Sequence, residues 1–142
     1  MTRVILLMTL LAAAGCGSDS STSPTTLPPT SVGVFTTTDL VVGTGATAAA
    51  GSRVSLTYAA WLCDTGKPFG KGTQIDPGPG PLTFTVGNGQ YLRGFEQGVV
   101  GMKVGGQRRL IVPPELAYGA NPPSGVPVNA TLVFEITLTS VQ

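Results

Sequence analysis

The 142-residue chain contains no histidine. That removes the imidazole on which Ser-His and Cys-His hydrolytic arrangements depend. With only two cysteines besides, no Cys/His cluster at metal-ligand spacing exists, and no metal or other cofactor is expected. Charge is scarce as well: 11% of residues are charged and the formal net charge is +1. The lysines and arginines are scattered, without aromatic-basic alternation, which argues against nucleic acid as a partner. Glu96 and Glu115 have no paired acid nearby and read as solvated surface charges. No apolar run reaches the roughly 20 residues that a bilayer span needs.

Backbone punctuation is plentiful instead, with 20 glycines and 12 prolines. Such a load disfavours long helices and favours strands joined by turns. Gly87-Asn88-Gly89 is one such turn signal.

The N-terminus has its own logic. Residues 1–15, MTRVILLMTLLAAAG, carry one cation (Arg3) and an apolar run from Val4 to Ala14. This reads as a secretory signal peptide. The stretch LAAAGC resembles a bacterial lipobox, which makes Cys16 the lipidated first residue of the mature chain. A lipid there anchors the protein to a membrane through buried methylenes, each worth about 0.8 kcal/mol. Gly17 after the cysteine, by similarity to Gram-negative lipoproteins, implies the outer membrane, facing the periplasm. With Cys16 lipidated, Cys63 is left without an intrachain disulfide partner and reads as a semi-buried structural thiol. Residues 16–35 continue as a Ser/Thr/Pro tether, expected to be disordered. The globular domain is expected over residues 36–142, as a monomer.

Periodicity sketches that domain. Short strands are expected at Asp39–Val42 and around Leu82, Phe84 and Val86. Arg53–Leu62 alternates Val54, Leu56, Tyr58, Ala60 and Leu62. Gln107–Val112 is a strand stopped by Pro113-Pro114. Ala130–Val141 alternates Leu132, Phe134, Ile136 and Leu138 against Val133, Glu135 and Thr137. One segment has helical spacing, with Phe95, Val99 and Met102 at i, i+4 and i+7, and Gly105-Gly106 suits its exit. One short helix among antiparallel strands is an α+β architecture.

Three segments together carry a family likeness: VSLTYAAWLCDTGKPF, YLRGFEQGVVGMKVGGQRRLIVPPELAYG and VPVNATLVFEITL. In this order and spacing, residues 36–142 resemble the FKBP-type peptidyl-prolyl cis-trans isomerases. The resemblance implies an antiparallel β-sheet curved around one short α-helix, with an apolar pocket between them. It implies an isomerase that accelerates rotation about X-Pro amides of exported polypeptides. Residue by residue, Phe95 takes the pocket floor, where the family usually has tryptophan. Tyr58, Phe69, Leu82, Tyr91, Leu92, Val126 and Phe134 take the walls. The Leu92 N–H and the Tyr118 hydroxyl take the donor positions towards substrate carbonyls. Phe84, Leu132, Ile136 and Val99 read as plain core.

The chain departs from the family pattern after Phe69, where an aspartate usually follows and Gly70 stands instead. KGTQIDPGPGP, next in line, differs in composition and length. Gly70 predicts weakened activity and supports an alternative, a non-catalytic module that holds proline-containing segments in the same pocket. Asp76 lies six residues on, in a Gly/Pro-rich stretch, with nothing in the sequence to fix its place.

Overall fold

A computed structural model describes residues 34–142. The signal peptide, Cys16 and nearly all of the tether lie outside the described residues. The chain order is β1 (Thr36–Val41), β2 (Arg53–Cys63), β3 (Lys71–Asp76), β4 (Leu82–Thr85), α1 (Arg93–Val99), β5 (Gln107–Val112) and β6 (Leu132–Val141). Two short 3-10 turns, Pro68–Gly70 and Pro114–Leu116, begin on prolines, whose fixed φ suits a first helical position.

All six strands form one antiparallel sheet in the order β1-β5-β6-β2-β3, with β4 also pairing β2. The two long strands, β2 and β6, pair along most of their length, from Val54↔Val141 to Leu62↔Leu132. Period-two side chains then send Val54, Leu56, Leu132, Ile136 and Leu138 to one face, where all are fully buried. The other edge of β2 is shared. Its first half pairs β4, through Arg53↔Thr85 to Leu56↔Leu82, and its second half pairs β3, from Ala60↔Asp76 to Cys63↔Lys71. Tyr58 falls in the gap between the two partners.

The helix packs on the buried face against β5. Seven residues are too few to hold a helix in water alone, so its stability comes from burying Phe95 and Val99. Arg108, on the same face of β5, holds its far end. The guanidinium donates from Nη1 to the Gly98 and Val100 carbonyls at 2.9 and 3.0 Å and from Nε to Asp39 at 2.6 Å.

The curved sheet around one helix is the α+β architecture that the resemblance implied. Several details differ from the sequence expectations. β1 runs Thr36–Val41 rather than Asp39–Val42, because Thr36 already pairs Ile111. The strand β3 was not expected at all. Cys63, expected without an intrachain disulfide partner, is half-buried at the end of β2 and is not a free thiol. Glu96 is not solvated but buried.

Candidate functional site

Between α1 and the sheet opens a cleft of about 80 Å³, several times the roughly 10–15 Å³ that one water requires. At its floor lies Phe95, 3% exposed. The ring is surrounded by others: Tyr58 and Phe134 edge-on at 5.4 Å each, Phe84 at 6.0 Å and Tyr91 at 6.1 Å. Edge-to-face contacts of this kind each add about 0.5–1.5 kcal/mol beyond burial. The cluster arises because β2 and β6 place Tyr58 and Phe134 on one face while the helix lowers Phe95 onto them.

Of the residues expected at the site, seven line this cleft: Tyr58, Phe95, Phe134, Leu82, Tyr91, Leu92 and Tyr118. Two do not. Val126 lines an adjoining groove with Pro123, Ser124 and Gly125, on the far side of Tyr118. Phe69 is placed away from the cleft. It is 64% exposed, with its ring stacked 4.3 Å from the Arg109 guanidinium. The reason is local: Phe69 and Gly70 both take positive φ, 60° and 71°, in the turn that leads from β2 into β3. That turn points the ring at the outer side of the sheet.

The wall assigned to Phe69 is supplied by β3. Its last two residues, Ile75 and Asp76, line the cleft. The Tyr58 hydroxyl donates to Asp76 Oδ2 at 2.7 Å. The other oxygen, Oδ1, accepts from the Gly78 N–H at 2.8 Å. Asp-Pro-Gly is an Asx-type turn signal, and here it fixes the carboxylate on both oxygens. Gly78 has φ 74° and sits so close to the Tyr58 carbonyl that any Cβ would collide with it. Only glycine fits, and its approach is what brings Asp76 beside Tyr58.

Burial, then the hydrogen bond to Asp76, then the charge of Asp76 push the Tyr58 phenol above its usual range. It therefore remains a hydrogen-bond donor at any physiological pH. Tyr118 stands at the rim, 38% exposed, on the loop after the second 3-10 turn. The Leu92 N–H, just ahead of α1, has no acceptor among the described residues. A tightly packed apolar floor is edged by three phenols, Tyr58 anchored and Tyr91 and Tyr118 exposed at the rim, by one open backbone donor and by a carboxylate held in place. No His or Cys nucleophile is among them. The cleft can bind a small apolar group flanked by carbonyls.

The aspartate missing at Gly70 is thus present in space as Asp76. Sequence reasoning missed Ile75 and Asp76, and Leu132, read as plain core, also lines the cleft; the signal for Asp76 was the Asp76-Pro77-Gly78 turn.

Comparison with known proteins agrees with this geometry. The family described as FKBP-type peptidyl-prolyl cis-trans isomerase matches residues 45–139. FK506-binding protein 3 of Candida albicans is 41% identical over 113 residues, covering 80% of this chain and 25% of that protein. FkpA from Escherichia coli superposes with a TM-score of 0.64 at 30% identity, covering 76% of this chain and 48% of the other. AtFKBP13 gives the same score and identity, with 76% and 93% covered. The chain spans a fifth to a quarter of the length of the curated relatives it matches. With two thirds of its residues inside the family match and its cleft built as described, the chain belongs to the FKBP-type peptidyl-prolyl cis-trans isomerase family.

Proposed function

We propose that this protein accelerates cis-trans rotation of X-Pro amides in polypeptides, acting through the cleft floored by Phe95. The observation that carries the reading is the Tyr58–Asp76 hydrogen bond at 2.7 Å on the edge of an otherwise aromatic cleft. It fixes the Tyr58 ring edge-on against Phe95, so the walls are in place before substrate arrives.

Rotation about the amide needs no proton shuttle. The barrier, about 18–20 kcal/mol, comes from partial double-bond character. The twisted amide has less resonance and less charge separation than the planar one. An apolar cleft therefore favours the twisted form relative to the planar one, and only such differential binding accelerates the step. In this arrangement the proline ring lies over Phe95. The Leu92 N–H and the Tyr118 hydroxyl donate to flanking carbonyls. Each 1.4 kcal/mol of preference for the twisted amide gives about tenfold in rate. Gly70 predicts weakened activity and favours the non-catalytic alternative; the Tyr58–Asp76 hydrogen bond supports the catalytic reading over both.

The decisive measurement is a prolyl isomerisation assay on a short proline peptide with the purified protein. Turnover above the uncatalysed rate, without a titration between about pH 6 and 8 because no histidine is present, supports the reading. Binding of the peptide without acceleration would mean a holding module instead.

The cellular setting belongs to the same proposal. Residues 1–16 support export and a lipid on Cys16, with exported chains as substrates at the periplasmic side of the outer membrane. Tethering to a membrane and action as a monomer complete the reading. The chain holds only two cysteines, so a lipid on Cys16 and an intrachain disulfide at Cys63 exclude each other within one molecule. Intact-mass analysis decides between them: a diacylated N-terminal cysteine supports the anchor, and a Cys16–Cys63 linked peptide under non-reducing digestion overturns it.

A further inference from the structure

Among the described residues Glu96 is the one buried charged side chain, 6% exposed. It stands in the first turn of α1, immediately after Phe95, and faces neither substrate nor cation. Its carboxylate reaches back to the preceding loop. Oε1 accepts from the Tyr91 N–H at 3.0 Å, and Oε2 accepts from the Gly89 N–H at 3.3 Å. The Glu96 N–H in turn donates to the Leu92 carbonyl at 3.0 Å. Side chain and main chain of one residue thus hold positions 89, 91 and 92.

These are the positions that matter to the cleft. Tyr91 and Leu92 line it, and Leu92 carries the open N–H. The side chains are held by packing, Tyr91 edge-on to Phe84 at 4.9 Å and Leu92 against the core, but that packing leaves the peptide groups of the loop unrestrained. Gly87 and Gly89, both at positive φ, turn the chain into this loop. Among the described residues no other hydrogen bond is made by the peptide N–H groups of residues 89–91. On the side away from the cleft the loop borders an open hollow lined by Ala50, Arg93, Gln97 and Val100, so no packed wall stands behind it. A carboxylate that accepts two peptide N–H groups makes charge-assisted bonds, roughly twice as strong as neutral ones.

We propose that Glu96 is a positioning residue for substrate binding. It aims the Leu92 N–H and the Tyr91 ring into the cleft, so affinity for X-Pro segments depends on a carboxylate that never touches them. The inference deepens the isomerase reading and rests on it for the identity of the ligand.

The test compares Glu96→Gln, Glu96→Asp and Glu96→Ala in the full chain. Each is followed by titration with a proline tetrapeptide and by ¹H–¹⁵N spectra of the Leu92 amide. Glutamine keeps one acceptor for Tyr91 N–H and should remain within about threefold of the parent Kd. Aspartate is a methylene short of both amides, and alanine has no acceptor. Each should weaken binding about tenfold, raise KM with kcat held, and shift the Leu92 amide resonance. A purely structural role predicts a lower Tm with the parent Kd and the parent Leu92 resonance in the folded variants, and that result overturns the proposal. Should Glu96→Ala fail to fold, Glu96→Asp carries the same comparison. If the parent binds no proline peptide, the isomerase reading fails. The Leu92 resonance still reports on the loop, and its invariance in Glu96→Asp overturns the positioning role independently.

Discussion

On the helix side of the sheet, Phe95 has four aromatic neighbours and 3% exposure. On the opposite side, Phe69 has one guanidinium beneath it and is 64% exposed. The outer face is organised by charge. Glu135 accepts from Arg109 Nε and Nη2 at 3.0 and 2.8 Å and from Lys71 Nζ at 3.1 Å, and Lys71 also lies 4.4 Å from the Trp61 ring. Register puts these groups together: Arg109 pairs Glu135, and Cys63 pairs Lys71 one step beyond Trp61. The two faces use the same residue types for different ends. Inside, rings exclude water and shape a binding site. Outside, rings shield cations that remain partly hydrated. Which of these a phenylalanine does is decided by the face its backbone presents.

The largest expected effect comes from breaking the inner cluster. Phe95→Ala removes a ring with four neighbours from the core, and such truncations cost about 3–5 kcal/mol. Denaturant unfolding should show that loss, and peptide binding should vanish even where the variant stays folded. A folded Phe95→Ala protein that binds proline peptides as the parent does would take the floor away from Phe95.

Next in size is the contest between Asp76 and Gly70. Asp76→Ala leaves the Tyr58 hydroxyl without its acceptor, and hydrogen bonds to charged groups contribute about 1.5–3 kcal/mol. Stability should fall by about that amount, and kcat/KM about tenfold, because the Tyr58 ring loses its anchor. Gly70→Asp should give no gain in activity, since a carboxylate already stands beside Tyr58. It should cost stability, because Gly70 has φ 71° and left-handed backbone disfavours side chains by roughly 1–2 kcal/mol. An active Asp76→Ala variant, or a faster Gly70→Asp one, would reverse the assignment.

That contest also marks where the sequence was readable. β2 and the middle of β6 were legible because one face is buried, so Val54, Leu56, Ile136 and Leu138 alternate visibly with more exposed neighbours, and β5 was legible as an apolar run stopped by Pro113-Pro114. The helix was legible from Phe95 and Val99. β3 was not, because it is an edge strand that pairs β2 through two register shifts and buries no continuous face. Without β3 the only aromatic near the expected position was Phe69, and its left-handed turn cannot be read from composition. The Asp76-Pro77-Gly78 turn was visible as a turn; its docking beside Tyr58 depends on Gly78 meeting a carbonyl from a strand 20 residues earlier. Glu96 looked solvated because its partners are peptide groups, which leave no mark in a sequence.

The outer face yields a pH effect. Burial raises the Glu135 carboxyl, but the hydrogen bonds and charges of Arg109 and Lys71 outweigh it and hold the group below its usual value of 4.5. The native state then binds fewer protons than the unfolded chain as pH falls. Its contribution is full above about pH 4.5 and is lost as pH drops through the lowered value. Denaturant midpoints between about pH 3 and 7 should decline more steeply for the parent than for Glu135→Gln, while cleft binding measured at neutral pH stays the same. Equal slopes for the two proteins would show that the cluster adds nothing.

The smallest effect is expected at Phe69 itself. Its φ of 60° places an L-residue where the backbone penalty is roughly 1–2 kcal/mol, and stacking of this exposed ring on the Arg109 guanidinium returns about 0.5–1 kcal/mol. Phe69→Ala keeps the penalty and loses the stacking, so it should cost about 0.5–1 kcal/mol. Phe69→Gly loses the stacking but relieves the backbone, at an entropic cost of roughly 0.5–1 kcal/mol in the unfolded chain. Glycine should therefore be at least as stable as alanine here, the reverse of their order in a strand or helix interior. Neither variant should alter proline-peptide affinity, because neither touches the cleft. Weaker binding in either would return Phe69 to the site. Alanine more stable than glycine would mean the turn is not held left-handed, and with it would go the physical reason that this ring lies outside while Phe95 lies within.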